Sequence, residues 1–127
     1  MLHAGLTEQI LKAYYKVYNK LGYGFLEKVY EKAMLVELRA NGLYCTSQEL
    51  VKVYYNNVEV GKYLADIIVE DLVIVEIKAA EALCDEHECQ LVNYLKATDK
   101  EVGLLLNFGK AAQYKRKIYS NDQRKSA

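Results

Sequence analysis

Proline is absent from the 127 residues, and cysteine occurs only three times. Without proline, the turns must be formed by glycine and by Asn or Asp, so these residues mark the ends of the expected elements. A small, odd number of cysteines provides no disulfide framework, which favours a reducing compartment. The chain also contains no internal repeat and no low-complexity segment. A chain of this length and composition is expected to form one domain with one hydrophobic core.

Long apolar runs are also missing, although 52% of the residues are hydrophobic. No run approaches the roughly 18 residues that a membrane-spanning helix requires. The N-terminal sequence MLHAGLTEQ lacks the basic and then apolar layout of a secretion signal. We therefore expect a cytoplasmic protein that does not enter a membrane.

Several common catalytic motifs are absent as well. The glycines at 22–24 lack the preceding strand and the lysine of a phosphate-binding loop. No local motif suggests a serine or cysteine nucleophile paired with histidine. Cys84, His87 and Cys89 lie close together and raise the alternative of a zinc site. Their spacing disfavours that alternative, because five residues along a helix turn Cys89 away from Cys84 and no C-x-x-C pair exists.

Charge is unevenly distributed along the chain, although the formal net charge is zero. Residues 1–109 contain 11 basic and 16 acidic residues, whereas residues 110–127 contain six basic residues and one acidic residue. A basic end on an acidic body suggests contact with a polyanion. The alternative is a solubilising tail, which charge alone does not distinguish from a binding segment.

Hydrophobic periodicity predicts eight elements. In chain order they are helices at 7–21 and 25–41, strands at 48–55, 58–69 and 72–79, a helix at 84–98, and strands at 102–108 and 114–119. This ααβββαββ order predicts an α/β sandwich with a central mixed sheet flanked by helices. The third helix would be the crossover between two parallel strands, and the last strand alternates in polarity like an edge strand.

The strand LVIVEIKA, residues 72–79, carries charges inside an otherwise apolar run. Glu76 and Lys78 share one face, because successive side chains of a strand point to opposite faces. Burying two charges is costly unless they pair, bind a metal or meet a substrate. A hairpin at 70–71 would bring Asp66 of the preceding strand next to Glu76. Two such carboxylates can hold Mg²⁺, and a salt-bridged edge strand is the alternative.

The hairpin between these strands tests the metal hypothesis. A two-residue loop at Glu70 and Asp71 would place Asp66 and Glu76 on opposite faces. We therefore predict a three-residue loop or a bulge. If the two carboxylates are adjacent, we also expect at least one of them to have a raised pKa when no metal is bound.

Two further motifs accompany these charges. GFLEKVY contains Gly24, Glu27 and Tyr30 in a G-x-x-E-x-x-Y pattern, and HECQLVNYLK places Gln90 and Tyr94 on one helix face. Together with YLADIIVED, VEIKA and GLLLNFG, these motifs resemble the GxxExxY family of the PD-(D/E)XK nuclease superfamily. The resemblance extends from residue 22 to residue 119.

The resemblance implies a restriction-endonuclease-like domain over residues 1–119 and a basic tail at 120–127, for which disorder is one alternative. The ligands that it implies for Mg²⁺ or Mn²⁺ are Asp66, Glu76, the backbone carbonyl of Ile77, and Glu27. The remaining catalytic residues that it implies are Lys78, Gln90 and Tyr94. Lys78 would stabilise the charge of the transition state, and the other two would position this lysine or the phosphate.

We therefore predict a hydrolase that cleaves phosphodiester bonds of nucleic acid, with DNA preferred over RNA. Lys115, Arg116 and Lys117 are the predicted contacts to nucleic acid. Whether the protein forms a homodimer is left open. One alternative is a non-catalytic module on the same fold that binds nucleic acid or protein. Another is an interaction domain whose charge cluster is structural.

Overall fold

The eight predicted helices and strands follow one another in the predicted order, and a short helix that was not predicted follows them at residues 121–125. The structure is a computed structural model and describes residues 2–125. Its elements are α1 (Ala4–Leu21), α2 (Glu27–Ala40), β1 (Cys45–Tyr55), β2 (Val58–Val69), β3 (Val73–Lys78), α3 (Asp85–Lys96), β4 (Val102–Phe108), β5 (Ala112–Ile118) and α4 (Asn121–Lys125). Of the predicted basic tail, α4 is described, and residues 126 and 127 lie outside the described part of the chain.

The five strands form one mixed sheet in the order β1-β2-β3-β4-β5. β3 and β4 are parallel and are joined by α3, whereas the other neighbours are antiparallel. The predicted α/β architecture and the parallel crossover are confirmed, and β5 is an edge strand as expected. β3 lies in the middle of the sheet, so the alternative of a salt-bridged edge strand is wrong.

Each face of the sheet is covered by helices. α1 and α2 pack on one face, where Tyr14, Tyr30 and Met34 are fully buried. α3 packs on the other face through Leu91 and Leu95. Burying one such leucine side chain stabilises the folded protein by roughly 1.5–3 kcal/mol relative to leaving it exposed. No helix within residues 2–125 is long and apolar enough to cross a membrane.

The hairpin between β2 and β3 has the predicted three-residue loop. Its paired residues are Ile67 with Val75, Ile68 with Ile74, and Val69 with Val73. Glu70 and Asp71 form the turn with φ values of 54° and 56°, and the Leu72 N–H donates to the Val69 carbonyl at 2.9 Å. Leu72 is the additional residue that shifts the register. The prediction that a loop longer than two residues separates these strands is confirmed.

Candidate active site

The candidate site lies where β2 and β3 stop pairing backbone to backbone. Their last paired residues are Ile67 and Val75. Beyond that pair, the Asp66 N–H donates to Glu76 Oε2 at 2.8 Å, and the Ile77 N–H donates to Asp66 Oδ2 at 2.9 Å. Each carboxylate therefore satisfies a backbone donor of the neighbouring strand. The structure thus brings Asp66, Glu76 and the backbone of Ile77 together at the fork between the strands.

A third carboxylate joins this pair through a glutamine. Gln48 Nε2 donates to Glu31 Oε1 at 2.8 Å and to Asp66 Oδ1 at 3.3 Å. Gln48 lies within β1 with a φ of 54°. A residue other than glycine in this left-handed region costs roughly 1–3 kcal/mol, and such strained residues concentrate at functional sites. Neither Gln48 nor Glu31 was predicted from the sequence.

Glu27 and Glu31 lie one helical turn apart on α2 but in different surroundings. Glu27 is the first residue of the helix and is exposed, whereas Glu31 is 6% exposed. The structure therefore connects Glu31 to the strand carboxylates and leaves Glu27 at the rim. Helical spacing could not have shown this difference, because Glu27 and Glu31 are four residues apart and lie on the same face of α2.

Glu76 is the most strongly perturbed acid of the site. It is only 5% exposed, and burial raises its pKa to about 8. The Asp66 carboxylate raises this pKa as well, while the Asp66 N–H and the Lys78 ammonium lower it. The expectation that one carboxyl of the pair titrates upward is confirmed. At neutral pH a substantial fraction of Glu76 is therefore protonated when no cation is bound.

Lys78 closes β3 on the same face as Glu76 and is half-buried. Within residues 2–125 no ion pair joins Lys78 to Glu76. Its ammonium is nevertheless near enough to lower the pKa of Glu76. The lysine therefore has a charge that no neighbouring carboxylate fully neutralises, which suits a group that contacts an anion.

Tyr94 of α3 lies near the carboxylates, and Gln90 of the same helix contacts Tyr94. Burial raises the pKa of the Tyr94 hydroxyl, Glu76 and Asp66 raise it further, and a hydrogen bond with the Gln90 side chain lowers it. The Tyr63 ring stacks on Tyr94 with centroids 3.5 Å apart, and its hydroxyl donates to the Tyr94 carbonyl at 3.1 Å. Tyr63 thus holds Tyr94 in place, and no motif in the sequence indicated it.

The donor set at the fork fits a hard divalent cation. Asp66 and Glu76 offer carboxylate oxygens, which Mg²⁺ and Mn²⁺ prefer over softer ligands. A cation between them would offset the repulsion and burial that raise the pKa of Glu76. Glu31 reaches Asp66 only through Gln48. The fork therefore offers two carboxylates that are directly adjacent, and in residues 2–125 no group of three or more acidic, histidine or cysteine side chains is arranged as a metal site.

The cysteines do not converge in the described structure. Cys45 is buried in the core, and Cys84 and Cys89 are exposed. His87 Nδ1 accepts a hydrogen bond from the Cys84 N–H at 3.3 Å, so this histidine caps the start of α3. The arrangement provides no support for the zinc alternative.

The three basic residues of β5 are divided between the two faces of the sheet. Arg116 Nη2 donates to the Leu2 carbonyl at 2.6 Å on the α1 side. Lys117 forms an ion pair with Glu88 of α3 on the opposite side. Lys115 is exposed. The predicted nucleic-acid contacts therefore do not form one continuous patch, and two of them have partners within the protein.

Comparisons with known proteins agree with this architecture. The structure resembles the crystal structure of SSO0001, with a TM-score of 0.57 and 16% sequence identity. The similarity covers 77% of this chain and 53% of that chain, so this chain spans about half the length of that protein. At this identity the likeness concerns the fold. No curated protein matches the sequence.

The match to a protein family covers more of the chain than the similarity to this crystal structure does. Residues 4–118 match the PD-(D/E)XK nuclease superfamily, and this range includes every strand of the sheet and every residue of the fork. The restriction-endonuclease-like order of elements and the forked central strands are found over the same range. The chain therefore belongs to the PD-(D/E)XK nuclease superfamily.

Proposed function

We propose that this protein is a Mg²⁺- or Mn²⁺-dependent nuclease of the GxxExxY family. The observation that supports the proposal best is the buried Glu76 beside Asp66. A module that only binds nucleic acid gains nothing from this pair, because two carboxylates repel phosphate and cost stability when no cation is present. Nucleases of this superfamily generally use divalent metals.

Each residue of the fork has a separate role in this proposal. Asp66 and Glu76 would hold the cation together with the backbone carbonyl of Ile77. When bound, the cation supplies Lewis acidity toward the scissile phosphate and activates water. The Lys78 ammonium stabilises the negative charge that accumulates on the phosphate oxygens. Tyr94 orients the phosphate or Lys78, since Tyr63 and Gln90 fix its ring and hydroxyl.

The test is incubation of the protein with single-stranded DNA, duplex DNA and RNA, each with Mg²⁺ or Mn²⁺. We expect cleavage by the parent, with DNA preferred, and none by a Glu76→Ala variant. Thermal melts in parallel should show that Mg²⁺ stabilises the parent and not the variant, because only the native site binds the cation. Binding without cleavage and without metal stabilisation would favour the non-catalytic module instead.

The two glutamates of α2 provide a matched pair of variants. We expect Glu31→Gln to lower the affinity for Mg²⁺ more than Glu27→Gln does. Glu31 is buried and connected to Asp66 through Gln48, whereas Glu27 is exposed at the start of the helix. Metal titration followed by thermal melting measures both affinities. If Glu27→Gln instead loses more Mg²⁺ affinity than Glu31→Gln does, Glu27 is the residue that assists metal binding.

Of the basic residues of β5, Lys115 should contribute to DNA binding and Arg116 to the stability of the fold. We expect Lys115→Ala to reduce the salt dependence of DNA binding by about 0.7–0.9 in log–log slope, the amount of one phosphate contact. Arg116→Ala should mainly lower stability, because the Leu2 carbonyl loses its donor. Fluorescence anisotropy at several KCl concentrations, with a thermal melt of each variant, separates the two effects. An unchanged slope in Lys115→Ala would assign this residue to solubility.

A further inference from the structure

A cleft of about 600 Å³ lies beside the fork, at the carboxyl end of β3. One wall is the loop between α1 and α2, and the other is the segment that follows Lys78. The side chains and backbone that line it include Tyr23, Phe25, Glu27, Ala80, Glu81 and Lys110. Its volume is in the range of small-molecule sites, roughly 300–1,000 Å³. The lining includes Ala79, the residue directly after Lys78, so the cleft opens where β3 ends, although the Lys78 side chain is not part of its lining.

The first wall is held by a buried tyrosine. Tyr30 is fully buried, and its hydroxyl donates to the Gly22 carbonyl at 2.8 Å. The same hydroxyl accepts a hydrogen bond from the Phe25 N–H at 3.1 Å. Gly22 and Gly24 have φ values of 68° and 109°, which other residues rarely adopt. The G-x-x-E-x-x-Y spacing therefore serves to fix the loop that presents Tyr23 and Phe25.

The second wall is held by a buried asparagine. Asn107 is fully buried, and its amide accepts from the Ala80 N–H at 2.9 Å and donates to the Ala80 carbonyl at 3.0 Å. Gly109 packs so closely that an added Cβ would lie 2.5 Å from the Ala80 carbonyl oxygen. Both walls are thus held by buried side chains, and the cleft is preformed rather than assembled by a ligand.

The lining combines exposed aromatic rings with charges of both signs. Tyr23 is 58% exposed and Phe25 is 49% exposed, so both rings have faces available for contact. Glu27 and Glu81 make the cleft unfavourable for a phosphate, but their oxygens can accept hydrogen bonds from the N–H groups of a base. Lys110 is the cation of the lining and can contact a phosphate at the rim. This chemistry suits a neutral, flat ligand that carries N–H donors.

A nucleobase has these properties, but only an unpaired one can use the cleft. In a duplex, both faces of a base are stacked on neighbours and its N–H donors are engaged in pairing. An unpaired base can stack on aromatic side chains in a sequence-tolerant way and offer its free edge to carboxylates. If the scissile phosphate binds at the fork, as the proposed function requires, a flanking nucleotide that follows β3 toward its carboxyl end would meet the cleft at Ala79.

We propose that the cleft binds the unpaired base of a nucleotide adjacent to the scissile phosphate, with Tyr23 and Phe25 as the stacking surface. The protein therefore acts on single-stranded or frayed nucleic acid in preference to intact duplex. The proposal rests on the proposed function for the position of the scissile phosphate. The binding preference itself can be measured without catalysis.

The experiment measures fluorescence anisotropy of a labelled single-stranded DNA and of the matching blunt duplex in EDTA, where no cleavage occurs. We expect the parent to bind the single strand at least about tenfold more tightly than the duplex. Phe25→Ala and Tyr23→Ala should each weaken single-strand binding by about tenfold and leave duplex binding unchanged, since one stacked base is lost. Tyr54→Ala and Tyr55→Ala are matched controls, because these tyrosines are 59% and 69% exposed on the β1–β2 hairpin.

Phe25→Leu guards against misfolding of the alanine variant. Leucine retains an apolar contact with Tyr30 but removes the ring, so stability should be kept while single-strand binding falls. Equal affinity of the parent for single strand and duplex would overturn the proposal, as would unchanged single-strand binding in the folded cleft variants. Absence of nuclease activity with Mg²⁺ or Mn²⁺ would contradict the proposed function and leave this binding result standing.

Discussion

Replacing Lys78 with methionine should lower kcat by about 10²–10³-fold at saturating metal, the usual effect of removing one group that stabilises transition-state charge. Lys78 is half-buried at the end of β3, on the same face as Glu76. Methionine keeps the length of the apolar stem and removes only the ammonium. Single-turnover cleavage assays at saturating Mg²⁺ report the chemical step and exclude differences in metal affinity.

Lys62→Met is the control for this variant, because Lys62 is an exposed lysine on the neighbouring strand β2. It should retain the activity of the parent. The Lys78 variant should also show a further upward shift of the Glu76 pKa, since the lysine ammonium lowers that pKa in the parent. Full activity of Lys78→Met at saturating metal would remove Lys78 from the mechanism and leave the bound divalent cation as the group that stabilises the transition-state charge.

Replacing Glu76 with glutamine should stabilise the metal-free protein at pH 8–9 by an amount on the order of a few kcal/mol, with little change at pH 5. The pKa of Glu76 is raised from 4.5 to about 8 in the folded protein. Between these values the unfolded chain releases a proton that the folded protein keeps, so the stability of the parent falls as pH rises. Above pH 8 both states are ionised and the decline ends. Glutamine does not ionise, so the variant does not lose this folding stability at any pH.

Glutamine also preserves the local hydrogen bond, because its carbonyl can accept from the Asp66 N–H as Glu76 Oε2 does. Asp66→Asn is a less suitable variant. Both carboxylate oxygens of Asp66 accept hydrogen bonds, from Gln48 and from the Ile77 N–H, and an amide nitrogen would face one of these donors. We therefore expect Asp66→Asn to lose stability as well as activity.

Chemical denaturation in EDTA at pH 5, 7 and 9 measures the effect of Glu76→Gln. Glu8→Gln is the control, because Glu8 is exposed on α1 and pairs only with Lys12 at 3.4 Å among the described ion pairs. It should show the same pH dependence as the parent. Mg²⁺ should stabilise the parent at pH 8–9, where Glu76 is ionised, and fail to stabilise Glu76→Gln. If Glu76→Gln keeps the pH dependence of the parent, a group other than Glu76 causes the fall in stability as pH rises.

Element order and strand pairing were determined by the sequence itself. The change from a 3.6-residue to a two-residue hydrophobic period marks where helices end and strands begin. The turn at 70–71 and the face requirement of Asp66 and Glu76 together specified the register of the central hairpin, which the structure confirms. The helix ends and the hairpin register are local, because they depend on residues that are close in the chain, whereas the parallel pairing of β3 with β4 followed from the crossover helix between them.

Only the tertiary structure decided which side chains complete the site. Glu31 rather than Glu27 is connected to the fork because Gln48 of β1 meets α2 at Glu31, one turn after the exposed Glu27 that begins the helix. Gln48 bridges two carboxylates because its backbone adopts a left-handed conformation that no local pattern announced. Arg116 and Lys117 point to opposite faces as successive residues of any strand do, but only the tertiary structure showed that the Leu2 carbonyl and Glu88 are their partners. Each of these outcomes depends on contacts between segments far apart in sequence, which periodicity cannot specify.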